Sequence, residues 1–277
     1  MSALLSHLLL CCRCVGSYAA LAGAVVALGW LSLRLEGLPA LRLGPWLGIN
    51  APLVVVDAGH GGQDGGAVAN GLTEKKLALE IAQRVRHYLE GQGLRVQMTR
   101  EGDVFLPLQE RSAMADRVGA SALVSLHLNT SVAAPEVKGI ETYFSSQKPL
   151  EAQRSLQARL SLPPDQQQVQ DDRGACLARS IQYHACLATK ADDRGVRERN
   201  YVVVTHSACP AALVECGFLT HLRESRKLAN EAYRDQLAKG IAHGVAEFVK
   251  AQQFRPERWQ GAATVLANAL ASPDAEP

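Results

Sequence analysis

Three observations predict an α/β fold for this chain. Short apolar runs rich in β-branched residues alternate with longer stretches of helical period. Two of those runs, residues 53–56 and 122–126, are followed closely by a histidine, His60 and His127, and open α/β sheets place their ligand sites at the carboxyl ends of strands. At 277 residues the chain suits one sizeable domain plus appendages. An apolar fraction of 47% and a charged fraction of 20% belong to a globular protein, and a formal net charge of +2 gives no electrostatic support for nucleic-acid binding.

Residues 1–34 stand apart from that domain. Residues 15–33 are 19 positions without a charge, flanked by Arg13 and Arg34. As a helix they would extend roughly 28 Å at about 1.5 Å per residue, enough to span a bilayer. A cleaved signal peptide is the alternative, but its apolar region is normally about 7–15 residues, and no small-residue cleavage pattern follows Leu33. Either reading exports the rest of the chain to the periplasm or cell envelope. The anchor reading also tethers it to the inner membrane through residues 15–33. Residues 35–50, with prolines and glycines, read as a linker. The seven cysteines form no regular spacing. Cys11, Cys12 and Cys14 lack the distant second pair of a zinc module, and Cys176 and Cys186 would lie about 15 Å apart along a helix, too far to bridge.

The predicted catalytic domain covers residues 51–252. Residues 53–56 are apolar without polar alternation, as in a central strand covered on both faces. Gly59, Gly61 and Gly62 then leave room around His60. Asn70-Gly71 marks a turn, Thr73 is the expected N-cap, and residues 73–90 follow as a helix with Leu77, Ile81, Val85 and Leu89 on one stripe. Glu74 in its first turn either complements the helix dipole or points back to the His60 loop. Residues 94–99 read as a strand, 108–118 as a helix opened by Pro107, 122–126 as a strand before His127, and 139–144 as another strand. Residues 145–173, with Pro163-Pro164 and a glutamine run, read as a mobile insertion with one weak helix over 150–160. A helix over 175–188, strands over 201–205 and 211–216, and a helix over 230–250 complete the domain, before a disordered tail over 253–277. The strand 211–216 (AALVEC) buries Glu215 in an apolar run. Such a carboxylate needs a partner: a basic residue, a hydrogen-bond network, or a cation in a site shared with the two histidines.

Two imidazoles and a carboxylate are the ligand set of an open catalytic zinc site. A bound zinc ion lowers the pKa of a water and polarises a substrate carbonyl. A second carboxylate must then relay the proton, and Glu215 suits that role. The reaction class that follows is amide hydrolysis. His87, His184 and His243 read as surface or packing residues. His206 and Cys209 lack a third residue to orient a nucleophile, and Arg100 and Arg111 read equally as substrate contacts or structural pairs.

The motifs DAGHGGQDGGA, GLTEKKLALEIA, TREGDVFLPLQERSAMAD, SLHLN, KGIETYF, RGVRERNYVVV and AALVECGFLTH occur in this order. Through them the region from about 52 to 250 resembles the zinc-dependent N-acetylmuramoyl-L-alanine amidases of type 3. The resemblance implies a twisted mixed sheet of about six strands flanked by helices, with one Zn2+ held by His60, Glu74 and His127. It also implies Glu215 as the catalytic carboxylate and peptidoglycan as the substrate, cut between N-acetylmuramic acid and L-alanine. Ala58 stands where proline is usual, Asp116 where asparagine is common, and Cys216 where a small polar residue is frequent; no implied ligand is lost. In division-associated members an inserted helix plugs the metal site until a protein activator displaces it. The shorter 145–173 insertion lies at a comparable place, and on that resemblance it is expected to gate the site. A zinc carboxypeptidase acting on the stem peptide, or a non-catalytic wall-binding scaffold, are the competing readings.

Overall fold

The computed structural model describes residues 51–147 and 165–253, with the backbone alone over 165–172. A six-stranded sheet is built from β1 (Leu53–Ala58), β4 (Arg95–Met98), β5 (Ala122–Asn129), β6 (Ile140–Phe144), β7 (Asp193–Glu198) and β8 (Ala211–Phe218), in the order β4-β1-β5-β8-β6-β7. The first four strands are parallel, β6 runs antiparallel to β8, and β7 is parallel to β6. The sheet is therefore mixed, as expected. A small hairpin, β2 (Val68–Ala69) with β3 (Leu72–Thr73), leads into helix α1 (Glu74–Gly91).

Period-two alternation divides the core between the two faces. Val54 and Val56 of β1 pack with Leu77, Ile81, Val85 and Leu89 of α1. The same layer holds Leu177 and Ile181 of α3 (Asp165–Thr189) and Leu237, Ile241 and Val245 of α6 (Glu231–Gln253). Val55 faces the other way, with Leu123 and Leu213, against Ala115 of α2 (Leu108–Arg117) and Val203 and Val204 of α4 (Val202–Thr205). A strand buried on both sides has no polar position to alternate, which is why 53–56 is uniformly apolar.

The structure corrects three readings and adds one helix. The run 201–205 (YVVVT) is not a strand: Val202–Thr205 forms one helical turn, with Val203 and Val204 buried against the sheet, while the sixth strand is Asp193–Glu198. That strand escaped a hydrophobic-pattern reading because it is a charged edge, a composition that discourages pairing with further chains. Helix α3 begins at Asp165, ten residues earlier than the predicted 175, in a glutamine-rich stretch with good helix propensity directly after Pro163-Pro164. Thr73 precedes α1 but makes no side-chain capping bond; the amide of Glu74 instead donates to the Ala67 carbonyl at 2.8 Å. Helix α5 (Leu222–Ala229) was not anticipated.

Among the described residues no helix is long and apolar enough to cross a membrane. The expected anchor or signal over 15–33, the linker 35–50, the weak helix over 150–160 and nearly all of the tail lie outside the described residues.

Candidate metal centre

His60 lies just past β1, Glu74 opens α1, His127 lies inside β5 and Glu215 inside β8. His127 and Glu215 are register partners on adjacent parallel strands. Directly opposed residues share a face, so Glu215 stands beside the histidine pair rather than behind it.

Ligand atoms of His60, Glu74 and His127 all lie within 4.8 Å of one another. His60 Nε2 and His127 Nδ1 each approach Glu74 Oε1 at 2.9 Å. Outer contacts fix this arrangement. Asp64 Oδ2 holds His60 Nδ1 at 2.8 Å, leaving Nε2 aimed at the cluster. The amide of Ala67 donates to Glu74 Oε2 at 2.8 Å, and that of Leu128 to Oε1 at 3.1 Å. A carboxylate oriented on one nitrogen of a histidine whose other nitrogen faces a cluster is the usual support of a metal ligand. Burial by itself would raise the Glu74 pKa, but its hydrogen bonds from His127 and His60 outweigh that and hold it well below the ordinary carboxylate range. Burial likewise opposes charge on His60, and the bonds and charges of Glu74 and Asp64 overcome it and raise its pKa. Three donors focused on one point, with a strongly acidic carboxyl among them, fit a divalent cation such as zinc.

Backbone geometry makes the space. A Cβ on Gly66, where φ is +63°, would come 2.6 Å from Glu74 Oε2 and 2.7 Å from His60 Cδ2; one on Gly59 would come 2.4 Å from His127 Cε1. His60 itself holds φ +59°, a left-handed conformation uncommon outside glycine. Its loop is pinned by two buried arginines. Arg111 donates to the carbonyls of Ala58 (2.7 Å), His60 (2.8 Å) and Leu106 (3.0 Å) and pairs with Asp57 at 2.8 Å. Arg100 donates to the carbonyls of Ala58 (2.9 Å), Gly59 (2.7 Å) and Lys75 (2.7 Å). Both are thus structural supports of the His60 loop, which settles the alternative left open by sequence. Asp64 was not singled out there, although its place four residues after His60 in a glycine-rich loop is the signal that would have found it.

No side chain partners Glu215 Oε2: the atom is buried and makes no hydrogen bond. Burial pushes its pKa up to about 7, opposed by His127 and reinforced by the charges of Glu74 and Glu141. A folded-state pKa above the unfolded one means that Glu215 favours folding at low pH and loses that contribution as pH rises through about 7. In metal-free protein, Glu215→Gln is therefore expected to match wild type near pH 4 and to exceed it above pH 7 by at most about 3 kcal/mol. Urea unfolding across that range in the presence of a chelator measures it; parallel stability profiles would contradict it.

The remaining candidates separate from the site. His184 pairs with Glu247 at 2.7 Å and its ring lies 4.4 Å from that of His243, between α3 and α6. His206 Nδ1 is buried without a hydrogen bond, and Cys209 Sγ lies 3.2 Å from Ser207 Oγ.

A family profile described as N-acetylmuramoyl-L-alanine amidase matches residues 54–247. Among curated relatives, the uncharacterized protein YqiI of Bacillus subtilis is 36% identical over 79% of this chain and 97% of its own length. N-acetylmuramoyl-L-alanine amidase LytC of Bacillus subtilis is 32% identical over 71% of this chain, a match that spans only 35% of LytC. Among solved structures, an N-acetylmuramoyl-L-alanine amidase from Clostridium difficile 630 superposes with a TM-score of 0.61 at 34% identity, covering 73% of this chain and 98% of that one.

Proposed function

Because this chain belongs to the N-acetylmuramoyl-L-alanine amidase family, we propose that it hydrolyses the amide joining N-acetylmuramic acid to L-alanine in peptidoglycan, with His60, Glu74 and His127 holding one zinc ion and Glu215 as the catalytic carboxylate. The observation that carries this reading is the convergence of His60 Nε2 and His127 Nδ1 on one oxygen of Glu74, beside a carboxylate oxygen with no partner. When bound, zinc supplies a Lewis acid and a water of lowered pKa at an open coordination position.

The protein's own groups do the rest. Glu215 Oε2 accepts the proton of the attacking water and delivers it to the leaving nitrogen. A carboxyl with one buried oxygen unpartnered, beside the donor cluster, is placed for both halves of that relay. Asp64 and the amides of Ala67 and Leu128 keep His60 and Glu74 in place throughout, so reorganisation costs little. The same reading includes export of the chain to the cell envelope, tethering through the uncharged run 15–33, and a protein activator as partner.

Mass spectrometry of purified peptidoglycan digested with and without zinc tests the reaction. Stem peptides beginning with L-alanine, released only with zinc, are the expected product. Loss of carboxy-terminal stem residues would instead identify a carboxypeptidase; no release with zinc bound would leave a gated enzyme or a binding scaffold, which the same assay on a chain lacking residues 146–170 separates. Gly66→Ala offers a geometric check. The added methyl collides with both Glu74 and His60, so zinc affinity is expected to fall at least about tenfold, the scale seen when the groups orienting metal ligands are disturbed. Unchanged zinc affinity by competition with a chromogenic chelator would place the metal elsewhere.

A further inference from the structure

The sheet continues beyond Glu215. Glu141 of β6 is the register partner of Glu215, and Arg197 of β7 is the partner of Tyr143, two residues along the same face of β6. Glu215, Glu141, Tyr143 and Arg197 therefore lie on one face of the sheet. Glu141 is buried and already satisfied. Asn129 Nδ2 donates to Oε1 at 2.7 Å, the Tyr143 hydroxyl donates to the same oxygen at 2.8 Å, and Arg194 Nε donates to Oε2 at 3.0 Å. Arg194 is itself committed, with its guanidinium 5.0 Å over the Phe218 ring.

Arg197 differs. Its side chain is 48% exposed, and its Nε stands 3.8 Å from Glu141 Oε2, too long for a hydrogen bond. Glu141 already holds Arg194 at 3.0 Å, so the long, half-exposed Arg197 pair leaves the donors of its guanidinium open to a further anion at the rim of the face that carries Glu215. Tyr201 is exposed and sits edge-on, at 5.2 Å, to Tyr143, the register partner of Arg197.

We propose that Arg197 is a specificity-determining residue that binds the free α-carboxylate of the second stem-peptide residue. The inference rests on the amidase reading. In stems whose second residue is a γ-linked glutamate, that α-carboxyl is either free or amidated. An extended dipeptide places it roughly 7 Å from the leaving nitrogen. The guanidinium leans over Glu141, about one to two strand spacings of roughly 4.8 Å from Glu215, which matches that reach. A planar guanidinium donates two parallel hydrogen bonds to a carboxylate and cannot make the same pair with a carboxamide.

The test compares N-acetylmuramoyl-L-alanyl-D-isoglutamate with its isoglutamine analogue, using the zinc-loaded full chain. Wild type is expected to favour the carboxylate form about 10–100-fold in kcat/KM, mainly through KM, as a charge-assisted bidentate pair would give. Arg197→Gln should erase the preference by weakening only the carboxylate substrate, with Tm unchanged, and Arg197→Lys should restore part of it. Calorimetric binding of both ligands to the Glu215→Gln protein reads the preference without turnover. Equal binding by the Arg197-containing protein, or an equal loss on both ligands in Arg197→Gln, overturns the proposal and leaves the amidase reading standing. A binding preference without hydrolysis of either compound by wild type supports the proposal and counts against the amidase reading alone.

Discussion

Glu215→Gln is expected to lower kcat on peptidoglycan by about 10²- to 10⁴-fold while zinc stays bound at the wild-type level. General acid–base groups contribute on that scale. The amide keeps the shape of the side chain but can neither accept the proton of water nor return it to the leaving nitrogen. Zinc should be unaffected, because Glu215 is absent from the donor cluster of His60, Glu74 and His127. Parallel measurement of turnover and metal content separates the roles. Wild-type turnover would show that another group relays the proton, and a loss of zinc would make Glu215 a ligand instead.

Arg111→Met is expected to destabilise the domain by about 3–5 kcal/mol, the range seen when one partner of a buried ion pair is removed. Arg111 and Asp57 are both essentially inaccessible. Asp57 keeps hydrogen bonds at 2.6 Å from Thr99 Oγ1 and Ser125 Oγ, but its charge would be left uncompensated. The carbonyls of Ala58, His60 and Leu106 would also lose a donor. Since those bonds hold His60 in its left-handed conformation, zinc affinity should fall with stability. Arg117→Met supplies the control, because the Arg117–Glu110 pair is exposed on both sides and should be worth less than about 1 kcal/mol. Chemical denaturation of the three proteins reads both effects; equal stabilities would remove Arg111 from this role.

The legible parts of this molecule are those where one residue type has one physical use. The apolar, mostly β-branched 53–56, the four-residue spacing of Leu77, Ile81, Val85 and Leu89, and histidines following two apolar runs led to β1, α1 and the two histidines of the donor cluster, while Glu74 joined them through the family resemblance. Position within a strand was less legible. His127 and Glu215 lie inside β5 and β8, not at their ends, because the strands continue as LN and GF past the point where the apolar pattern breaks. The edge strand β7 was invisible to hydrophobic pattern, since DRGVRE is polar and its role is to end the sheet. With it went the contacts of Arg194 and Arg197 to Glu141, which join segments more than 50 residues apart and leave no local trace. Arg100 and Arg111 were ambiguous for the same reason: an arginine that donates to backbone carbonyls has no sequence signature, because every residue offers that acceptor.

Anomalous diffraction at the zinc edge, on crystals grown with zinc and without added substrate, tests the central claim most directly. A peak about 2.0–2.2 Å from His60 Nε2, a nitrogen of His127 and an oxygen of Glu74 is expected, with Glu215 nearby and uncoordinated. A peak bound by other residues, or no peak at this cluster in saturating zinc, would contradict it.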